Sequence, residues 1–153
     1  MRPISILPTA VVLSILLPLF STHAAQSPSP SRSGHFVERE LVHDGRHYPY
    51  AVFVPSSAHA APLPVVLFLH GSGERGSDGH AQTTAGLGNW LRANLDTFPA
   101  LVVLPQVPAG EEWMGDNARM ALAALDAASG EFGGDPARTY ATGMSMGGYG
   151  TWE

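Results

Sequence analysis

From His35 to Leu41 polar and apolar positions alternate, with Phe36, Glu38 and Glu40 on one side of an extended chain and Val37, Arg39 and Leu41 on the other. That period of two suits a strand with one wet face. Asp44-Gly45 is a hairpin turn signal, and Tyr48 to Val54 is a second β-rich run. Pro49 lies inside it and, lacking an N–H, is expected to push this strand to a sheet edge. A small-residue and proline loop follows from Ser56 to Pro64. Val65 to Leu69 is then continuously apolar, as a strand buried on both faces should be.

The rhythm then changes. Leu87 to Leu95 reads as a helix, with Leu91 and Leu95 one turn apart and Pro99 as its stop. Leu101 to Leu104 is another short apolar run, ended by Pro105. Asp116 to Ala128 has the strongest helical pattern: Met120, Ala121, Ala124, Leu125 and Ala128 form one stripe, and Asp116 is placed to cap it. Gly133-Gly134-Asp135-Pro136 breaks the helix, and Thr139 to Thr142 forms a last short strand. A hairpin followed by strands alternating with helices predicts an α/β fold, with a mostly parallel sheet and an N-terminal antiparallel hairpin.

The first residues follow a different logic. Met1–Ala25 carries Arg2, an apolar stretch centred on Ala10 to Leu17, and the small-residue end Thr22-His23-Ala24-Ala25, in the order of a secretory signal. Pro8 and Pro18 confine the apolar stretch to less than the roughly 20 residues a membrane-spanning helix requires. A cleaved signal is therefore expected rather than a stable membrane anchor, with a secreted or periplasmic product. Residues 26–34 alternate Ser and Pro and read as a linker, leaving 35–153 as the folded part.

Composition narrows the function. The chain of 153 residues has 8 basic residues, all Arg, against 13 acidic ones, and no Cys. Scattered Arg on an acidic chain matches phosphate backbones poorly, so a nucleic-acid partner is not expected. Without Cys there is no disulfide framework, thiolate nucleophile or Cys-ligated metal. His43, His47 and His59 lack metal-ligand spacing, and no His-Glu-x-x-His occurs. Surface histidines are the expectation there.

Gly143-Met144-Ser145-Met146-Gly147 directly follows the last predicted strand. It fits Gly-x-Ser-x-Gly, in which a sharp strand-to-helix turn holds a nucleophilic Ser in a strained conformation. The same pattern also fits a glycine-rich turn whose Ser caps a helix. Position favours the nucleophile, because His70-Gly71-Ser72-Gly73-Glu74-Arg75-Gly76 follows the third strand. In the α/β-hydrolase arrangement, the loop after that strand supplies one oxyanion-hole N–H, and the residue after the nucleophile supplies the other. Those donors are the amides of Ser72 and Met146. His70 precedes the Ser in the chain, the wrong order for the base of this fold, and is read as fixing the loop.

Gly71-x-Gly73-x-x-Gly76 also matches a dinucleotide fingerprint, with Asp96 about 20 residues on. The context fails: residues 76–86 show no helical stripe, and Asp96 precedes the next strand rather than ending it.

The run from His70 to Gly76, Pro105-Gln106, Trp113, and above all Asp135-Pro136-x-Arg138-x-Tyr140-x-Thr142-Gly-x-Ser145-Met-Gly-Gly-Tyr-Gly-Thr-Trp152 resemble secreted α/β-hydrolases labelled predicted peptidases. These are related to the polyhydroxybutyrate depolymerase and feruloyl-esterase-like group and to dienelactone-hydrolase-type esterases. The resemblance runs from about Phe36 to Glu153. It implies hydrolysis of a small-molecule or polymeric ester through an acyl-serine intermediate, with Ser145 as nucleophile and no metal or organic cofactor. The family's acid and His follow the nucleophile, whereas eight residues follow Ser145 here. The expectation is an N-terminal fragment that is itself inactive, with exposed parallel-strand edges at Val65–Leu69 and Leu101–Leu104. The alternative is an inert exported product, a pseudoenzyme or binding module.

Smaller candidates remain. Trp113 either lines an acyl pocket or sits in the core. Met144, Met146 and Tyr149 flank the nucleophile and either touch substrate or pack. Asp135 with Arg138, and Glu74 with Arg75, are read as ordering their loops.

Overall fold

A computed structural model describes residues 33–56 and 62–153. The signal-like segment, the Ser/Pro stretch through Arg32 and His59 lie outside the described residues. Among those described, the elements are β1 (His35–His43), β2 (Arg46–Val54), β3 (Leu63–Leu69), α1 (Gly86–Ala93), β4 (Leu101–Pro105), α2 (Asp116–Phe132), β5 (Gly134–Gly143) and α3 (Met146–Gly150). Single 3-10 turns occupy Ser72–Glu74 and Ala81–Thr83.

The five strands form one sheet in the order β1-β2-β4-β3-β5. Asp44 and Gly45 both take left-handed backbone angles, the turn that Asp-Gly favours between antiparallel strands. Pairing is antiparallel for β1 with β2 and β2 with β4, and parallel for β3 with β4 and β3 with β5. The described sheet is therefore mixed rather than mostly parallel.

Strand alternation explains the apolar runs. Val65, Leu67 and Leu69 of β3, Leu101 and Val103 of β4, and Tyr48, Tyr50 and Val52 of β2 face α2, against Met120, Ala121, Ala124, Leu125 and Ala128. The residues between them, Phe68, Val102, Leu104, Ala51 and Phe53, form a second cluster with Leu91 of α1. A strand covered by a helix on each face has no side for polar residues.

Three expectations are corrected. β2 is not an edge strand, since β1 and β4 flank it. Pro49 is tolerated because its carbonyl, which accepts from the Gln106 N–H at 3.2 Å, faces the β4 side beyond the last paired residues, Tyr50 and Pro105. In a strand the missing N–H faces the same way, so no bond of the ladder is lost. The edges are also not at β3 and β4, which are interior. They fall at β1 and β5, and Pro136 to Thr142 of β5 are exposed. Finally, Asp116 does not cap α2. Gly115 occupies the cap position with a φ of 52°, while Asp116 pairs with Arg119 inside the first turn. The helix runs one turn beyond Ala128 to Phe132, where Gly133 stops it at a φ of 75° and donates its N–H to Ser129.

Leu101 is fully buried where β4 meets α2, whereas Leu122 lies on the outer face of the same helix and is 55% exposed. Leu101→Ala is expected to cost about 2–5 kcal/mol in urea unfolding. Leu122→Ala should stay within about 0.5 kcal/mol of wild type.

Candidate active site

The site is built where two strand ends meet. β5 ends at Gly143, Met144 donates its N–H to the Leu69 carbonyl at 3.1 Å, and α3 begins at Met146. Between them Ser145 has φ 53° and ψ −117°, a region that a residue with a side chain enters only when its surroundings force it. Those surroundings are glycines. A Cβ on Gly143 would stand 2.2 Å from the Gly147 carbonyl oxygen, and one on Gly147 would stand 1.9 Å from that of Leu69. A Cβ on Gly150 would lie 2.4 Å from the Cβ of Trp113. The glycines thus let α3 cross the end of β3 at backbone contact, which leaves Ser145 exposed above the sheet.

Ser72, Trp113, Ser145, Met146 and Tyr149 all line one cleft of about 460 Å³, together with Arg75 and Glu112. All five site residues singled out from sequence are therefore brought together. Ser72 and Met146 are each the first residue of a helical turn, so their amides have no intrahelical acceptor.

His70 is held elsewhere. It is fully buried; Val107 N–H donates to its Nε2 at 3.0 Å, so Nδ1 carries the proton and donates to the Gly71 carbonyl at 2.6 Å. With both ring nitrogens engaged, His70 fixes the loop that carries Ser72. Burial pushes its imidazole below the ordinary value of 6.5, outweighing the Gly71 carbonyl and the Glu74 charge, which favour the proton. Among the described residues, no His lines the cleft.

Trp113 is a core residue that also borders the cleft. It is 1% exposed, donates from Nε1 to the His70 carbonyl at 2.9 Å, and meets the His70 ring edge-on at 4.9 Å, while forming part of the cleft wall. Tyr149 is 81% exposed at the rim. Met146 lines the cleft, but Met144 packs into the α1-side cluster and does not. Arg75 is tied to the Glu111 carbonyl and, more loosely, to the Glu112 carboxylate. Asp135 pairs with Arg138, which holds its carboxyl below the usual range, and Arg138 also donates to the Pro62 carbonyl. That pair anchors the start of β5, away from the cleft. Residues 76–86 contain only one 3-10 turn, so no helix follows the Gly71-x-Gly73-x-x-Gly76 pattern closely enough to bind a pyrophosphate.

Sequence reasoning missed a role for Gln106. It is fully buried and accepts from the Gly79 N–H at 2.8 Å, while its amide nitrogen donates to the Glu74 carbonyl at 3.0 Å. The available signal was a polar residue just past the proline that ends an apolar run.

A mixed sheet with helices on both faces and a strained Ser at a sharp strand-to-helix turn defines an α/β-hydrolase-like fold. Comparison with solved structures agrees at that level. The chain is similar to a thermostable esterase at 28% identity and TM-score 0.62, covering 76% of this chain and 36% of that one. It is similar to a ferulic acid esterase at 18% identity and TM-score 0.56, covering 76% and 52%. It also resembles the fluorophosphonate-binding serine hydrolase F of Staphylococcus aureus at 20% identity and TM-score 0.55, covering 77% and 50%. The chain thus spans about a third to a half of the length of these structures. No protein-family model and no curated protein matches it.

Two outcomes follow from this geometry. Gly147→Ala should destabilise the fold at or beyond the upper end of the about 1–3 kcal/mol of an overpacked site. Gly148→Ala, whose Cβ would meet nothing nearer than 3.5 Å, should leave the melting temperature unchanged or slightly raised. Paired thermal melts check the contrast. Because the folded state holds His70 neutral and the unfolded chain binds a proton below about 6.5, stability should fall as pH drops from 6.5 toward the depressed folded value. Urea unfolding across that window, repeated with His70→Gln, should show the slope diminished in the variant.

Proposed function

We propose that this chain is the nucleophile-bearing portion of an exported serine hydrolase that cleaves carboxylic esters through an acyl-serine intermediate. The observation that carries this reading is Ser145 itself, strained and exposed at the cleft that Ser72 and Met146 also line. Ser145 Oγ attacks the ester carbonyl carbon and gives its proton to a base. The carbonyl oxygen takes the negative charge against the two amides, the alcohol departs with the proton, and water then releases the acid. Esterase names among the structural neighbours support ester chemistry, and the cleft's Met146 and Tyr149 suit an apolar or aromatic part of a small or polymeric ester.

The base and its orienting acid belong, in this reading, to a continuation of the chain past Glu153. The share of the neighbours' length that the chain spans, and the open outer edge of β5, support that assignment. The signal-like first residues support export to a secreted or periplasmic location. One observation favours a second reading, an inert exported product or binding module: no imidazole borders the cleft among the described residues.

The test uses the product of the whole reading frame with p-nitrophenyl acetate or methyl ferulate, beside Ser145→Ala. The variant should lose at least about 10³-fold in kcat. Equal activity in both removes Ser145 from the mechanism. A reading frame that stops at Glu153, with no turnover, favours the inert product.

A further inference from the structure

The loop that carries Ser72 is held from outside itself. Before Ser72, the Val107 N–H anchors the His70 ring and the Trp113 indole anchors the His70 carbonyl. After it, Gly76 donates its N–H to the Val107 carbonyl at 2.9 Å, and Arg75 Nε donates to the Glu111 carbonyl. Every one of these tethers comes from the segment between β4 and α2. Gln106 makes the most of them. Its Oε1 accepts from Gly79 N–H, and its Nε2 donates both to the Glu74 carbonyl and, at 3.2 Å, to Asp78 Oδ1. The Glu74 carbonyl belongs to the same 3-10 turn as Ser72. Asp78 is in turn fixed by the N–H groups of His80 and Ala81.

We propose that Gln106 is a positioning residue that sets the Ser72 amide where the oxyanion of an ester substrate forms. This rests on the ester-hydrolase reading of Ser145. The physical reason is that an oxyanion donor contributes only when it is already in place as charge develops, and a displacement near 1 Å costs about 10²-fold. Ser72 is exposed and its amide has no intrahelical acceptor, so its place is decided by the residues bonded on either side of it. The Gln106 amide is fully buried, and both its oxygen and its nitrogen are bonded to the Glu74–Gly79 stretch. A side chain without those groups strands the Glu74 carbonyl and the Gly79 N–H, and the turn must move to rehydrate them. The rival account is that Gln106 only seals the end of β4, in which case it affects melting and nothing else.

The experiment uses the full-length product of the reading frame and compares wild type with Gln106→Met, similar in length and without hydrogen bonds. Gln106→Glu is the second variant; it keeps an acceptor for Gly79 but sets a carboxylate against the Glu74 carbonyl and Asp78. Steady-state hydrolysis of p-nitrophenyl acetate is measured well below each melting temperature, and amide hydrogen exchange is followed across residues 72–79 and α2. The expected result is a fall in kcat of about 10- to 100-fold with KM within about twofold, since the lost interaction exists in the transition state. Exchange in residues 72–79 should quicken by about tenfold while α2 is unchanged. Wild-type kcat with only a lower melting temperature overturns the proposal, as does unchanged exchange in the loop. If the wild type hydrolyses no ester, the reading of Ser145 falls, and the exchange comparison still decides whether Gln106 positions the turn.

Discussion

Where α3 crosses the end of β3, the two backbones touch with no space for a side chain between them. A Cβ at Gly147 would be 1.9 Å from the Leu69 carbonyl oxygen, so only hydrogen fits. That contact brings the turn that carries Ser145 against the end of β3, so that Ser145 and Ser72, three residues past β3, line one cleft. The strain at Ser145 is a consequence. With β5 hydrogen-bonded beside β3 and α3 lying across both, the residue at the corner has no ordinary backbone conformation left to it. The sheet supplies the stability that holds it there, through two apolar layers that bury both faces of β3 and β4.

A second constraint acts on the other half of the site. An exposed turn rich in glycine does not hold a donor still by itself, because each glycine leaves the backbone free. Here the turn is bonded to the β4–α2 segment through buried groups: the ring of His70 accepts from the Val107 N–H, the amide of Gln106 donates to the Glu74 carbonyl, and the indole of Trp113 donates to the His70 carbonyl. Burial makes these bonds costly to break, and it also keeps His70 neutral. A histidine at the start of the loop that carries Ser72 invites a catalytic reading, yet its two nitrogens are already committed to main-chain groups.

Much of the fold was legible because its signals are local. The Val65–Leu69 and Leu101–Leu104 runs are apolar throughout since each residue meets one helix or the other, and the stripe on α2 faces the sheet as its spacing requires. Asp44-Gly45 made its turn for reasons contained in two residues. The elbow was legible for the same cause, since Gly143 and Gly147 bracket Ser145 within five positions. What misled were inferences about neighbours. Pro49 looked like an edge residue, yet its strand is interior, and the proline is tolerated because the ladder with β4 stops one residue short of it. Asp116 had the chemistry of a cap but lies one position too far along, paired with Arg119.

The sequence by itself determined the order of the elements, the burial of the central strands on both faces and the turn that exposes Ser145. Period, glycine placement and turn chemistry are properties of residues close together in the chain. Only the tertiary structure decided that β4 lies between β2 and β3, that β5 takes the place beside β3, and that Gln106, Trp113 and His70 converge on the turn at Ser72. Those arrangements join residues some thirty to seventy positions apart. No local pattern encodes them, because a strand's apolar faces say that it is covered and not which strand covers its edge.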